Sequence, residues 1–449
     1  MDTGDTAWLI TSAALVMFMT PGLALFYGGL VRTKNVLGTI MQSFIALGVV
    51  TVLWVIIGYT LAFGPDTGSG LIGGLDFMFF EGVGQAPSEV YGLTIPHNVF
   101  ATYQMMFAII TPALISGAIA ERIKFSGYVL FIALWSVLIY SPVAHWVFAD
   151  GWLGLFPDKL GALDFAGGTV VHINAGAAAL AAILYLGKRK GHGREAFVPH
   201  NVPMVITGAA ILWFGWFGFN AGSAIGANGL AGSAFLNTHL ATAAAVLGWL
   251  IPERLRHGKA TTIGAATGAV AGLVAITPAA GFVDPMGALI IGLAGGAICF
   301  LAVSLKSKIG YDDSLDVVGV HFVGGIVGAL LTGVLATTAI NALGDGSATQ
   351  LGKQAVAVGV TAVFSFVGSL ILLKIVDLIV GVRVSEDEEV EGLDLSQHSE
   401  VGYTFADRGG SLTLSHGGAD RPAEPTGSSP GAETSTPTLP STTSREGDR

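Results

Sequence analysis

The chain of 449 residues carries one cysteine, Cys299. A lone cysteine excludes an intrachain disulfide framework and any cysteine-rich metal centre. Charge is scarce as well. Only 12% of the residues are Asp, Glu, Lys or Arg, against about 25% in a soluble globular domain. The formal net charge is −10 and no strongly basic face is visible, so no nucleic-acid partner is expected. The opening residues MDTGDTAWLITSAALV are acidic and lack the basic start of a signal peptide. No nucleophile elbow, phosphate loop or metal triad occurs, so neither an enzyme nor a cofactor is expected.

What the chain has instead is apolar length. Hydrophobic residues make up 52% of it, with 64 glycines, and its mean hydropathy is +0.68. A membrane span needs about 20 apolar residues. Eleven such stretches can be read, at about 6–31, 36–63, 97–119, 125–148, 165–187, 201–220, 233–251, 261–281, 285–305, 316–339 and 353–381. The expected class is an all-α, eleven-helix multi-pass protein of the cell membrane, bathed by lipid. Small residues allow its helices to approach closely.

Loop charge gives the orientation. If the N-terminus lies outside, the inner loops and the stretch after the last span hold fourteen Lys and Arg residues, and the outer loops hold only Lys159 and Lys353. The positive-inside rule then predicts an external N-terminus and a cytoplasmic C-terminus. Three regions follow: a membrane domain at 1–381, an acidic but still partly apolar segment at 382–405, and a tail at 406–449 with no apolar periodicity. Such a tail is expected to be disordered.

One motif occurs twice. DFAGGTVVH runs from Asp164 to His172, and DSLDVVGVH runs from Asp313 to His321. Each histidine follows a valine, and each has a glycine four residues later (Gly176, Gly325). The first copy enters span five from outside and the second enters span ten from inside. This predicts an inverted repeat of spans 1–5 and 6–10. Eight helical residues rise about 12 Å in a hydrocarbon core about 30 Å thick. Both imidazoles therefore approach the midplane, where ionisable side chains are costly and tend to be functional. Asp164 reads as a helix cap through Ala166 or Gly167 and as a source of negative charge at the outer mouth. Asp313 is its counterpart, and Asp316 reads as a further cap. No third ligand falls at the histidines' depth, so no metal is expected.

At these motifs the sequence resembles the ammonium transporter, methylammonium permease and Rhesus family. The matching stretches are PGLALFYGGLVRTKNVL, AERIKFSGYVLF, DFAGGTVVHINAG, WFGWFGFNAGSA and DVVGVHFVGGIVG. The resemblance implies a homotrimer with one pore per subunit that moves ammonium-derived nitrogen. It implies an outer ammonium site at Ser223, Phe107 and Phe148, with Trp216 and Tyr103 nearby. Many members carry Trp at the position of Phe148. It implies a Phe107–Phe219 gate above a His172–His321 pair. In the segment after the spans, Glu391, Gly392, Asp394, His398 and Tyr403 match a regulatory pattern that can meet PII-type signalling proteins. Ammonium and methylammonium are the implied substrates. A membrane ammonium sensor and a channel for another small neutral solute are the competing readings.

Overall fold

The structure is a computed structural model that describes residues 1–404. The stretch 406–449, expected as a tail, lies outside the described residues. Residues Met1–Tyr403 pack as one compact unit.

Among the described residues, ten helices are long and apolar enough to cross a membrane. They are α1 (Thr3–Leu30), α2 (Thr33–Phe63), α3 (His97–Ile119), α4 (Phe125–Phe148), α5 (Gly168–Leu186), α6 (Val202–Ala224), α7 (Gly229–His257), α9 (Pro285–Ile309), α10 (Val318–Leu335) and α11 (Ala348–Val380). The eighth expected span is shorter, with α8 covering Thr262–Ile276. Fifteen residues rise only about 22 Å. Pro278 follows, and α8 gives way to a turn there whose Pro278 carbonyl accepts the Phe165 N–H at 3.1 Å. The chain thus folds back against the mouth of α5 instead of continuing to 281.

Polar residues in the loops start the helices. Asp2, Asn201, Asn228, Thr261, Asp284 and Ser347 each accept a backbone N–H of the following first turn, which satisfies donors that no helix can satisfy itself. The packing follows the predicted repeat. Helix α1 lies against α6, α2 against α3 and α4, and α7 against α8 and α9. Helices α5 and α10 cross each other, and α11 packs along α5.

The crossing of α5 and α10 depends on the two repeated glycines. A Cβ on Gly176 would stand 2.6 Å from the Phe322 backbone, and one on Gly325 would stand 3.2 Å from His172 Cβ. Both histidines lie in π-helical turns, Gly168–Ile173 and Val318–Phe322. Such turns widen a helix by one residue and recur at functional sites.

At the end of the bundle that carries the basic loops, ionic groups tie the two repeats together. Arg189 pairs with Asp312 at 2.8 Å and with Glu121 at 2.9 Å, and Arg32 pairs with Glu121 at 3.0 Å. The Phe197 ring lies under both guanidinium groups, 4.4 Å from Arg32 and 4.2 Å from Arg189. Burial alone raises a carboxylate's pKa. Here Arg189 and Arg32 overcome it and hold the Glu121 carboxyl at about 2.

The segment after α11 folds onto the same end through two short helices, Glu386–Glu391 and Leu393–His398. Gly392 has φ 111° and backs onto Lys34 so closely that a Cβ would stand 2.6 Å from the Lys34 carbonyl oxygen. Asp394 accepts the Gly38 N–H at 2.8 Å. His398 packs edge-on to Phe125. The Tyr403 hydroxyl lies 3.1 Å from His200 Nε2. Glu391 is exposed. Glu389, buried like Asp394, accepts the Lys190 N–H at 2.6 Å and pairs with Arg383 at 3.0 Å.

Candidate pore and its two cavities

Asp164 begins the site. Its carboxylate is 6% exposed and accepts the N–H groups of Gly167 (2.9 Å), Gly168 (2.7 Å), Thr169 (2.8 Å) and Val170 (3.2 Å). The left-handed Gly167, φ 115°, turns the chain into the helix. The expected cap through Gly167 is present, while the Ala166 N–H is not part of it. Asp313 mirrors the arrangement by accepting from Val317 (3.1 Å) and Val318 (2.8 Å). Asp316 differs from the expectation. Its backbone is left-handed, φ 65°, and its carboxylate is taken by Lys306, so its side chain does not start α10.

These caps aim the two π turns at each other. His172 Nδ1 and His321 Nδ1 lie 3.2 Å apart, with ring centroids 5.3 Å apart and planes 23° from parallel. His172 Nε2 is buried without a hydrogen-bond partner. Trp216 stacks on His172 at 5.4 Å, and its indole N–H donates to Thr277 Oγ1 at 2.9 Å. It therefore stands one layer deeper than the outer position expected for it. Apolar side chains from α1, α3, α6 and α8, among them Leu23, Ile110, Leu212 and Val270, complete this inner cavity of about 10 Å³. That is at the lower limit of what holds a single water.

The two phenylalanines expected to form a gate lie directly above. Phe107 and Phe219 have ring centroids 4.4 Å apart and are each 1% exposed. Phe219 also stacks over His172 at 6.0 Å. Phe219 faces the inner cavity and Phe107 the outer one, so the ring pair is the partition between them.

The outer cavity, about 250 Å³, brings together Phe107, Phe148 and Ser223 with Phe165, Gln104 and Ile225. Tyr103 is buried beneath it, with its hydroxyl 2.9 Å from the Phe219 carbonyl and 3.2 Å from Ser223 Oγ. It thus holds Ser223 in place without lining the cavity. Gln104 and Ile225 went unrecognised in the sequence. Gln104 precedes Phe107 by three residues on α3, a spacing that puts both on one helix face and that the sequence displays. Ile225 follows a short 3₁₀ turn, Gly222–Ala224, and no sequence signal places it.

A helical bundle with two cavities in line, parted by a ring pair and floored by paired imidazoles, defines a multi-pass membrane protein with a candidate pore. The chain belongs to the Ammonium Transporter Family, whose profile matches residues 7–403. It is similar to an ammonium transporter of Mycobacterium tuberculosis, at 52% identity over 92% of each chain. It is also similar to one of Bacillus subtilis, at 51% identity over 90% of this chain and 99% of that one. Among solved structures it resembles Mep2 of Saccharomyces cerevisiae, with a TM-score of 0.80 and 39% identity over 86% of this chain and 88% of that one. It also resembles a sensor Amt protein, with a TM-score of 0.81 and 29% identity over 88% of this chain and 98% of that one.

Proposed function

We propose that this chain is an ammonium transporter that recruits NH4+ in the outer cavity, removes a proton and passes NH3 between Phe107 and Phe219 to the paired histidines. The observation that carries the reading is the 3.2 Å approach of His172 and His321 beneath the ring pair. Ammonium and potassium are alike in size and charge, so a selective site has to use what potassium lacks, namely N–H donors and a removable proton. The outer cavity offers both kinds of recognition. Aromatic faces attract a cation, and the Ser223 and Gln104 oxygens accept hydrogen bonds.

Below the gate, an apolar passage penalises any ion and passes a neutral molecule far more cheaply. The proton and NH3 then take separate or coupled routes. A neutral imidazole has one donor and one acceptor nitrogen. Two imidazoles in contact share one proton and leave one ring nitrogen each for the passing molecule.

The same reading sets the chain with its N-terminus outside and its C-terminus in the cytoplasm, as the loop charges require. It makes the chain a homotrimer, and it makes the 382–405 segment a regulatory region able to receive a PII-type protein. A sensor role is the second reading, favoured by the likeness to the sensor Amt protein. Ammonium-evoked current in proteoliposomes separates the two. A transporter gives a current or, where NH3 crosses alone, an ammonium-driven rise in internal pH, and His172→Ala with His321→Ala changes its size or selectivity. Unchanged current and selectivity in the double variant would sink the proposed pore.

A further inference from the structure

The described residues include seven non-glycine positions with positive φ, and Ile225 is the only β-branched one among them. Its backbone lies at φ 53°, ψ 30°. A branched Cβ crowds the neighbouring carbonyl in that conformation, which glycine and asparagine tolerate. Such strain persists only where the surroundings impose it, and it gathers at working sites.

The surroundings here are explicit. On one side the Ile225 N–H donates to the Gly222 carbonyl at 2.9 Å, closing the turn that carries Ser223. On the other, the Ala227 N–H donates to Asp5 Oδ1 at 2.8 Å. Asp5 Oδ2 in turn accepts the Thr94 hydroxyl at 2.6 Å. The turn is thus clamped between α6, the first turn of α1 and the loop before α3. The clamp places the Ile225 side chain on the wall of the outer cavity, which Ser223 and Phe148 also line. Behind it is Gly92, where a Cβ would stand 3.5 Å from Ile225 Cγ2.

Resting on the transport reading above, we infer that Ile225 is a specificity residue, an apolar lip that narrows the recruitment cavity against substituted ammonium ions. Ammonium presents N–H on every side and needs no apolar room. Methylammonium adds a methyl group that has to share the cavity with the sec-butyl lip. One carbon more or less on a substrate held in an apolar pocket changes discrimination by about 10-fold or more. The backbone strain follows from the placement, since glycine would form the turn more easily but leave the wall open.

The test uses the full chain in proteoliposomes, with currents evoked by ammonium and by methylammonium, and compares wild type with Ile225→Gly and Ile225→Asn. The readout is the ratio of the KM for methylammonium to that for ammonium, alongside the melting temperature of each purified variant. Ile225→Gly is expected to melt no lower than wild type while its KM ratio falls roughly tenfold. Ile225→Asn, which also suits the left-handed turn but keeps a side chain, is expected to hold the ratio within about twofold. An unchanged ratio in Ile225→Gly would overturn the inference. So would equal falls in both variants, which would assign the effect to the backbone, or a lower melting temperature for Ile225→Gly. A wild-type protein with neither an ammonium-evoked current nor an ammonium-driven change of internal pH would overturn the transport reading itself and this inference with it.

Discussion

His172 Nδ1 and His321 Nδ1 stand 3.2 Å apart, so one ring donates and the other accepts through the same type of nitrogen. The two imidazoles are therefore in opposite tautomers with respect to each other. A proton crossing the contact has to exchange those tautomers.

This asymmetry predicts that either single replacement, His172→Ala or His321→Ala, removes the shared proton as effectively as the double one. Groups acting as a unit are not additive. Charge movement evoked by ammonium is expected to fall roughly 100-fold in each single variant, which is the usual worth of a positioned acid–base group. Solid-supported-membrane recordings measure it. Full additivity of the two singles would show that the rings work independently.

The Phe107–Phe219 pair parts the two cavities, at a centroid separation of 4.4 Å. Shortening one ring opens it without emptying the site. Phe219→Leu is expected to admit more potassium than the wild type, because the cost of leaving water falls once water can follow. A potassium-gradient assay in liposomes reads this directly. The milder leucine is preferred because Phe→Ala in a packed core costs about 3–5 kcal/mol.

Phe148 lies on the outer cavity's wall beside Ser223 and Phe107. Tryptophan is the stronger face for a cation, and contacts of this kind are worth about 0.5–1 kcal/mol at accessible sites. Phe148→Trp is therefore expected to lower the apparent KM for ammonium about two- to fivefold, with the maximal rate unchanged. A KM that does not fall would separate Phe148 from recruitment.

Much of the pore's centre could be read from the chain. The two D-x7-H motifs, their opposed directions and the glycine after each histidine anticipate the crossing of α5 and α10, because helical rise and bilayer thickness alone set the imidazoles' depth. Other features could not be read. The π turns under both histidines depend on how α5 and α10 meet. Pro278, which has no N–H to continue α8, gives its carbonyl to Phe165, a contact from another part of the chain. Trp216 was expected near the mouth, but its indole bond to Thr277 places it against His172. Helical periodicity gives a residue's face and approximate depth, whereas these partners come from elsewhere in the chain.

The ionic clamp between the repeats has a pH signature. The Glu121 carboxyl is held at about 2 in the folded chain by Arg189 and Arg32, against the opposing effect of its burial. An unfolded glutamate titrates near about 4.3. A depressed carboxylate stabilises the fold fully above its unfolded value, and that contribution is lost as pH falls toward the folded one. The melting temperature of the detergent-solubilised protein is expected to drop between about pH 5 and pH 2, as the fold loses stability on the order of 3 kcal/mol from this group. Glu121→Gln should flatten that part of the profile. It should also lower stability at neutral pH, since Arg32 loses its carboxylate partner and the buried Arg189 is left with Asp312 alone.

Asp164 offers the sharpest separation of structure from recruitment. Its two oxygens receive four backbone N–H groups, and it is 6% exposed. A carboxylate whose acceptor sites face the start of α5 has little left to offer a cation in the vestibule. In Asp164→Asn one oxygen becomes an amide nitrogen that donates, so two of the four N–H groups meet a donor instead of an acceptor. Leaving buried donors unpaired costs about 1–3 kcal/mol each. The expected result is a clear fall in melting temperature with the KM for ammonium little changed. The maximal rate should fall, because the π turn carrying His172 loses its anchor. If instead the KM rises while the melting temperature holds, the negative charge acts on the cation and the cap is secondary.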